Sequence, residues 1–120
     1  MKKIVLTVVA MLSMTMAFAD GENANNINET EAYNFSINSY KLSVALGLNL
    51  DQTEAVSDIE KNFSIEMKNA GEANKEQRPE LVKEAVNKNL SYMHAVLNNQ
   101  QYHKYLTLMN MTLANRGLNF

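Results

Sequence analysis

Leu97-Asn98-Asn99-Gln100-Gln101 marks the point where the sequence predicts that one helix ends and the next begins. Asn98 is a short polar residue whose side chain can accept a hydrogen bond from the free N–H groups of a new helix. Gln101 lies three positions later, where its side chain can bond back to the backbone of Asn98. An apolar residue such as Leu97 is common just before the cap. The stretch therefore has the form of a capping box.

A similar stretch, Leu50-Asp51-Gln52-Thr53-Glu54, occurs in the first half of the chain. Asp51 takes the position of the cap, Glu54 that of the residue that bonds back, and Leu50 that of the apolar residue before them. The sequence thus contains two predicted helix starts of one form, which divide the chain into paired helices.

Apolar residues recur at steps of three and four around these two starts, which indicates amphipathic helices. We predict four helices: residues 32–46, Asp51 to about Gly71, Pro79 to Asn98, and Asn98 to about Gly117. Their apolar stripes are Tyr33, Ile37, Tyr40 and Val44; Val56, Ile59, Phe63, Met67 and Ala70; Val82, Val86, Leu90, Met93 and Leu97; and Tyr102, Tyr105, Leu106, Met109 and Leu113. Gly47, Gly71 and Gly117 follow three of the stripes, as is typical of helix ends.

No stretch alternates between apolar and polar residues with a period of two, so we predict no strand. The predicted fold is a small all-α, antiparallel four-helix domain built from two helix hairpins. The alternative is a bent hairpin whose helices pack fully only in a dimer.

The first 19 residues have the pattern of a cleaved signal peptide. Lys2 and Lys3 form a basic start, residues 4–17 are an apolar run, and Ala17-Phe18-Ala19 supplies the small residues that a signal peptidase reads. The apolar run is shorter than the roughly 20 residues that a spanning helix needs. We therefore predict a signal peptide over residues 1–19, a disordered polar lead-in over 20–31 and one helical domain over 32–120, in a periplasmic or secreted protein.

Composition excludes several classes of function. The chain has no Cys, which excludes disulfides, thiolate metal sites, Cys nucleophiles and a lipid anchor attached on export. Without Lys2 and Lys3, nine basic residues stand against 13 acidic ones, and this net charge of −4 does not favour nucleic acid as a partner. No later apolar run is long enough to form a stable membrane span.

No pattern in the sequence indicates catalysis, a metal or a cofactor. His94 and His103 are the only histidines, and further ligands at a recognised metal-site spacing are lacking. Glu54, Asp58 and Glu66 lie on one predicted helix among lysines, as carboxylates on a solvated face do. We therefore expect a protein that is not an enzyme and that needs no cofactor.

Methionine and tyrosine are the residues that suggest a binding role. Met adapts to varied partners, and Tyr offers an apolar ring with a polar tip. Most of these side chains fall on the predicted stripes, where a place in the core is the simpler interpretation. Tyr92, Leu108 and Met111 fall beside the stripes, and we predict that they form a partner-binding surface.

The two predicted helix starts resemble the repeated Leu-Thr-x-x-Gln motif of the periplasmic Spy/CpxP family. The first copy has Asp51 for Thr and Glu54 for Gln, whereas the second has Asn98 for Thr and keeps Leu97 and Gln101. The substitutes can all cap a helix or complete a capping box. This resemblance extends over about residues 40–113. Residues 101–118 also resemble small secreted proteins of unknown function from Bacteroides-type bacteria.

The Spy/CpxP resemblance implies an ATP-independent holding chaperone, whose homodimer grips client proteins on a concave, basic and apolar face. The net charge of −4 departs from such a basic face. We expect an exported helical binding protein that is chaperone-like or belongs to an envelope stress response, with a protein partner or an unfolded client. The alternative is a structural or adaptor module of the cell envelope with one fixed protein partner.

Cleavage of the predicted signal peptide has a direct test. The protein purified from its native host is expected to begin at Asp20, because Ala17 and Ala19 occupy the positions that a signal peptidase reads. Intact-mass spectrometry measures the position of the N-terminus. A mature form that still carries Met1 would contradict the prediction.

Overall fold

Four helices joined by short turns make up residues 31–120, the part of the chain that the computed structural model describes. They are α1 (Ser39–Leu46), α2 (Leu50–Glu72), α3 (Arg78–Val96) and α4 (Asn99–Asn115), preceded by a 3₁₀ turn at Glu31–Tyr33. No strand occurs within residues 31–120, so the predicted all-α fold is confirmed. The predicted signal peptide and the lead-in up to residue 30 lie outside the described residues.

The core lies between α2 and α3, which share the largest helix interface, and it continues into α4 and α1. Most of the predicted stripe residues of α2, α3 and α4 are buried there. The largest fully buried side chains are Tyr105, Phe35, Phe63, Leu42, Met67, Met93, Leu108, Met109, Val56 and Val82. The spacing of apolar residues thus predicted the core faces of the three long helices correctly.

The predicted start of α2 is wrong by two residues. Its cap is Asn49, whose side chain accepts a hydrogen bond from the backbone N–H of Gln52 at 2.7 Å. The Gln52 side chain in turn accepts from the backbone N–H of Asn49 at 3.1 Å, which completes the capping box. Leu50 is therefore the first helical residue rather than the residue before the cap, and Asp51 lies in the first turn.

The predicted start of α4 is confirmed. Asn98 accepts from the backbone N–H of Gln101 at 2.9 Å, and the Gln101 side chain accepts from the backbone N–H of Asn98 at 3.0 Å. With the first box at its true position, both helix starts read Leu-Asn-x-x-Gln: Leu48 to Gln52, and Leu97 to Gln101.

The first predicted helix is much shorter than expected, because its N-terminal half is not helical. α1 begins only at Ser39, and Asn38 caps it by accepting from the backbone N–H of Lys41 at 3.0 Å. Asn and Ser side chains, which are frequent in residues 34–39, compete with helical backbone bonds and favour caps and turns. The predicted stripe through Tyr40 and Val44 is consequently wrong: Leu42 and Leu46 face the core, whereas Tyr40 and Val44 are exposed.

Residues 31–38, which comprise the 3₁₀ turn and five irregular residues after it, form a segment, here called the strap, that packs against the long helices. Its Phe35 is fully buried and meets the ring of Phe63 edge to face at 5.2 Å between centroids. The Arg116 guanidinium lies 4.3 Å from the Phe35 ring centroid and donates to the backbone oxygens of Ala32 and Asn34. Burial of Phe35 and these hydrogen bonds explain why the strap is held in place without a helix.

Glycine serves two different purposes in this fold. Gly47 and Gly117 have φ of 67° and 71°, and each ends a helix as predicted, because glycine adopts this left-handed conformation without steric cost. Gly71 is the next-to-last residue of α2, so the predicted end of that helix is correct to within one residue, but Gly71 is not a left-handed cap. A Cβ atom on Gly71 would come within 2.8 Å of the Tyr33 side chain, so glycine there lets the strap approach the helix.

The true position of the first capping box gives a stability prediction with an internal control. Asn49→Ala and Asn98→Ala are each expected to lower the free energy of unfolding by about 1 kcal/mol, because each removes the acceptor for a helix N-terminus. Asp51→Ala leaves the cap intact. It is expected to lower the free energy of unfolding by only a few tenths of a kcal/mol, roughly what one negative charge in the first turn contributes through the helix dipole. Urea denaturation of the three variants measures the difference, and an Asp51→Ala loss as large as that of Asn49→Ala would contradict this register.

Candidate functional site

The predicted partner-binding surface does not form as a unit. Leu108 is 1% exposed and belongs to the core, so its assignment to a binding surface is wrong. Tyr92 on α3 and Met111 on α4 are 51% and 42% exposed, and they remain available to solvent. The sequence missed this difference because α4 turns both Leu108 and Met109 inward, a wider apolar face than the single stripe suggested.

The outward face of α1 carries the most prominent pair of exposed apolar side chains. Tyr40 and Val44 are 76% and 64% exposed and lie four residues apart, which places them on one face of the helix. The opposite face of the same helix buries Leu42 and Leu46. α1 is therefore apolar on two sides, although its neighbours cover only one.

Further exposed apolar residues are distributed over the rest of the domain. Leu50 at the start of α2 and Ile65 in its middle are exposed, as is Phe120 at the C-terminus. Single exposed apolar side chains are common on protein surfaces and need no explanation. The pair on α1 is different, because its two members share one face of a short helix.

The two capping-box glutamines meet in space and hydrogen-bond to each other. The Gln52 amide nitrogen donates to Oε1 of Gln101 at 2.9 Å and to the backbone oxygen of Val96 at 3.1 Å. The Gln101 amide nitrogen donates to the backbone oxygen of Gly47 at 3.2 Å. Each glutamine thus completes the capping box of its own helix. Gln52 also bonds to the last residue of α3, and Gln101 to the turn before α2; we call this arrangement the crossed glutamine pair.

The crossed glutamine pair is a structural site. Its amide groups satisfy backbone groups at both helix starts, at the C-terminal end of α3 and in the turn before α2, which otherwise lack helical partners. Of the predicted motif residues, Asn98 and Gln101 take part as expected. Leu50, Asp51 and Glu54 do not belong to the motif, whose first copy uses Asn49 and Gln52 instead.

A second polar site lies inside the core and was not predicted. Glu60 of α2, Asn89 of α3 and Tyr105 of α4 form a cluster, here called the buried acid cluster, in which all three residues are almost fully buried. The Asn89 amide nitrogen lies 2.9 Å from Oε1 of Glu60, and the Tyr105 hydroxyl lies 2.7 Å from the same oxygen. The Tyr105 hydroxyl also lies 2.6 Å from Oδ1 of Asn89. The cluster therefore ties three helices together at one point.

Burial dominates the electrostatics of the buried acid cluster. It raises the pKa of Glu60 from its ordinary value of 4.5 to about 7, although hydrogen bonds with Asn89 and Tyr105 act in the opposite direction. Burial also raises the pKa of the Tyr105 hydroxyl well above its ordinary value of 10, and the charge of Glu60 adds to that effect. Both groups therefore favour their neutral forms more than they would in water.

The sequence does contain a signal for this cluster, namely two polar residues at core positions of the apolar stripes, and the structure shows that they meet. Glu60 lies four residues after Val56 and three before Phe63, so it occupies a core position in the apolar stripe of α2. Asn89 lies four residues before Met93 in α3, so it also occupies a core position in the apolar stripe of its helix. A polar residue at a core position requires a partner, and two such residues on neighbouring helices indicate that they meet.

A groove runs beside Glu60 between the strap and α2. It has a volume of about 420 Å³, and a second cavity of about 390 Å³ adjoins it along the strap, with Ser36 and Ser64 lining both. The first cavity is lined by Ser36, Ile37, Ser39, Ser57, Glu60, Lys61, Ser64 and Ile65. Serines line it from the strap (Ser36), from α1 (Ser39) and from α2 (Ser57 and Ser64), and Glu60 contributes to its wall.

The other residues considered for chemistry lie at the surface. His94 and His103 are exposed, and the His94 ring meets that of Tyr102 edge to face at 4.7 Å. Glu54 and Asp58 are exposed, and Glu66 pairs with Lys88 of α3 at 3.5 Å. These carboxylates are placed as solvated or surface-paired groups, not beside one another in a cleft.

Comparison with known proteins gives no match: neither a family model, nor a curated protein, nor a solved structure corresponds to this chain. Within residues 31–120, none of the helices combines the length and the apolar character that crossing a bilayer requires. In the same part of the chain, no group of three or more His, Cys, Asp or Glu side chains is placed to hold a metal ion.

The crossed glutamine pair predicts that the two helix starts are energetically coupled. Gln52→Ala and Gln101→Ala are expected to show a coupling of about 1 kcal/mol in a double-mutant cycle of unfolding free energies, because each side chain bonds to the other. The matched control pairs Gln52→Ala with Gln100→Ala, since Gln100 is exposed and lies next to Gln101. Additive losses in the first cycle would show that the observed contact contributes nothing.

Proposed function

We propose that this chain is an exported helical binding protein, chaperone-like in holding partly unfolded protein clients without nucleotide. The observation that carries the proposal is the exposed pair Tyr40 and Val44 on α1, whose opposite face is anchored in the core. An apolar helix face presented on a fixed frame is a recognised way to bind apolar segments of other proteins.

The repeated motif supports the same proposal. With the first capping box at Asn49 and Gln52, both copies read Leu-Asn-x-x-Gln and differ from the Leu-Thr-x-x-Gln motif of the Spy/CpxP family only in Asn for Thr. Asn and Thr both cap helices, so the substitution preserves the physical role of the motif. In this register each copy departs from the family motif at one residue, and a homodimer is the assembly that the resemblance implies.

The charge of the chain defines which clients suit it. With the predicted signal peptide removed, the net charge is −4, which keeps the carrier soluble and favours association with neutral or basic clients. An acidic client would be repelled at long range. The proposed selectivity therefore differs from that of a carrier with a basic binding face.

The second candidate is a structural or adaptor module with one fixed protein partner. It is favoured by the concentration of the exposed pair on one face of one short helix, which suits a single complementary groove. A holding chaperone would use this face for many unrelated apolar segments, whereas an adaptor would use it for one complementary partner. The two candidates thus differ in how many unrelated proteins the α1 face binds.

The chaperone-like proposal predicts that the mature protein suppresses aggregation. At equimolar ratio it is expected to reduce the light scattering of neutral or basic proteins diluted from denaturant, without nucleotide. The variant Tyr40→Ser/Val44→Ser is expected to lose most of this effect, because it removes the exposed apolar pair. Ile65→Ser is the matched control, since Ile65 is 59% exposed on α2 and its removal leaves α1 unchanged.

Circular dichroism establishes that each sample is folded and helical before the assay. Equal suppression of aggregation by the parent and by Tyr40→Ser/Val44→Ser would show that the exposed pair on α1 does not bind the clients. Absence of suppression across several clients, by a folded parent, would contradict chaperone-like activity and leave the adaptor as the better candidate.

A further inference from the structure

The buried acid cluster contains three polar contacts at hydrogen-bond distance that form a closed triangle. They join Nδ2 of Asn89 to Oε1 of Glu60 at 2.9 Å, the Tyr105 hydroxyl to the same Oε1 at 2.7 Å, and the Tyr105 hydroxyl to Oδ1 of Asn89 at 2.6 Å. Each contact needs one hydrogen between its two heavy atoms. The triangle as a whole therefore needs three.

The neutral side chains of Asn89 and Tyr105 supply only two of these hydrogens. The Asn89 amide directs one hydrogen into the triangle, and the Tyr105 hydroxyl has a single hydrogen that serves one of its two oxygen neighbours. The same count holds with the Asn89 amide turned over, because the amide still contributes one hydrogen and leaves two oxygen–oxygen contacts for one hydroxyl. The third hydrogen must come from the carboxyl group of Glu60.

We propose that Glu60 is a neutral carboxylic acid in the folded protein. The domain then holds a proton in its core, and its folded state is stabilised at acidic pH. The hydrogen bonds then run in a ring: Glu60 donates to Tyr105, Tyr105 donates to Asn89, and Asn89 donates to Glu60. A carboxylic acid suits the shared position because its hydroxyl oxygen both donates and accepts. This inference is independent of the proposed binding function.

The second oxygen of Glu60 supports the neutral form. Oε2 is buried and has no hydrogen-bond partner among the described residues. An ionised carboxylate would leave charge on this unsatisfied oxygen, which is costly away from water, whereas the carbonyl oxygen of a neutral acid carries much less. Protonation on Oε1 thus explains both the triangle and the unpartnered atom.

The groups around Glu60 come from every element that packs against it. Asn89 faces it from α3, Tyr105 from α4, and serines of the strap, α1 and α2 line the groove beside it. Lys61 lines the same groove and is the cation nearest to Glu60 along α2; it favours the ionised form, but it is exposed and its charge is screened by solvent. Burial outweighs it, in agreement with the rise in the pKa of Glu60 to about 7.

The direction of the pH effect follows from proton linkage. Because the pKa of Glu60 is about 7 in the folded state against an ordinary 4.5, the folded state keeps a proton that the unfolded chain releases between these values. The stabilisation is complete below pH 4.5 and is lost as the pH rises through about 7, at a rate of at most about tenfold per pH unit in the unfolding equilibrium constant. Above this pH window, the hydrogen-bonded ring of Glu60, Asn89 and Tyr105 lacks one hydrogen. The contact that α2, α3 and α4 share through this ring is then weakened.

Two measurements on the mature protein test the proposal. In carbon-13 NMR of the folded protein, the Glu60 carboxyl signal is expected to titrate with a midpoint near 7. In urea denaturation, the unfolding equilibrium constant of the parent is expected to rise roughly 70-fold more between pH 5 and pH 8 than that of Glu60→Gln, which carries no titratable group there. All other residues are common to both proteins, so their contributions cancel in the comparison.

Glu54→Gln is the matched control, because it removes a carboxyl group from an exposed position on the same helix and is expected to keep the parent's pH profile. Identical profiles for the parent and Glu60→Gln would overturn the proposal, as would a Glu60 midpoint below 5 in the folded parent. If Glu60→Gln fails to fold, the NMR titration of the parent decides alone.

Discussion

The crossed glutamine pair is the contact on which the arrangement of the helices depends. The first backbone N–H groups of a helix have no helical partners. The carbonyl groups at the end of the preceding helix and in the turn after it lack them too. Gln52 and Gln101 each bond to their own cap and to each other; Gln52 also bonds to the end of α3, and Gln101 to the turn before α2. The pair therefore joins two capped helix starts and holds them next to each other.

A second group of polar side chains, the buried acid cluster, lies in the core. Glu60, Asn89 and Tyr105 occupy positions where apolar side chains would pack without any need for partners. Their hydrogen bonds offset the cost of burial only when all three are placed together, so the cluster favours one register of α2, α3 and α4 over slipped alternatives. The same requirement makes the core sensitive to the protonation of one carboxyl group.

The surface of α1 links the fold to the proposed function. The strap is held by Phe35 and Arg116, and α1 follows it with Leu42 and Leu46 in the core. Because the helix is anchored at its start and on its inner face, Tyr40 and Val44 are presented on a support that does not depend on a partner. An anchored apolar face can bind without first paying for its own ordering, which is the advantage of a preorganised site.

The sequence by itself determined the all-α fold, the core faces of the three long helices, the start of α4 and the glycine ends at Gly47 and Gly117. These features depend on residues close together in the chain, where periodicity and capping chemistry operate. Tertiary structure placed the cap of α2 at Asn49 rather than at the predicted Asp51, with Gln52 in contact with Gln101. It also decided that Phe35 is buried in a strap rather than a helix, that Leu108 faces inward, and that Glu60 meets Asn89 and Tyr105. Each of these outcomes depends on a partner distant in sequence, and a local pattern holds no information about which distant side chain will be there.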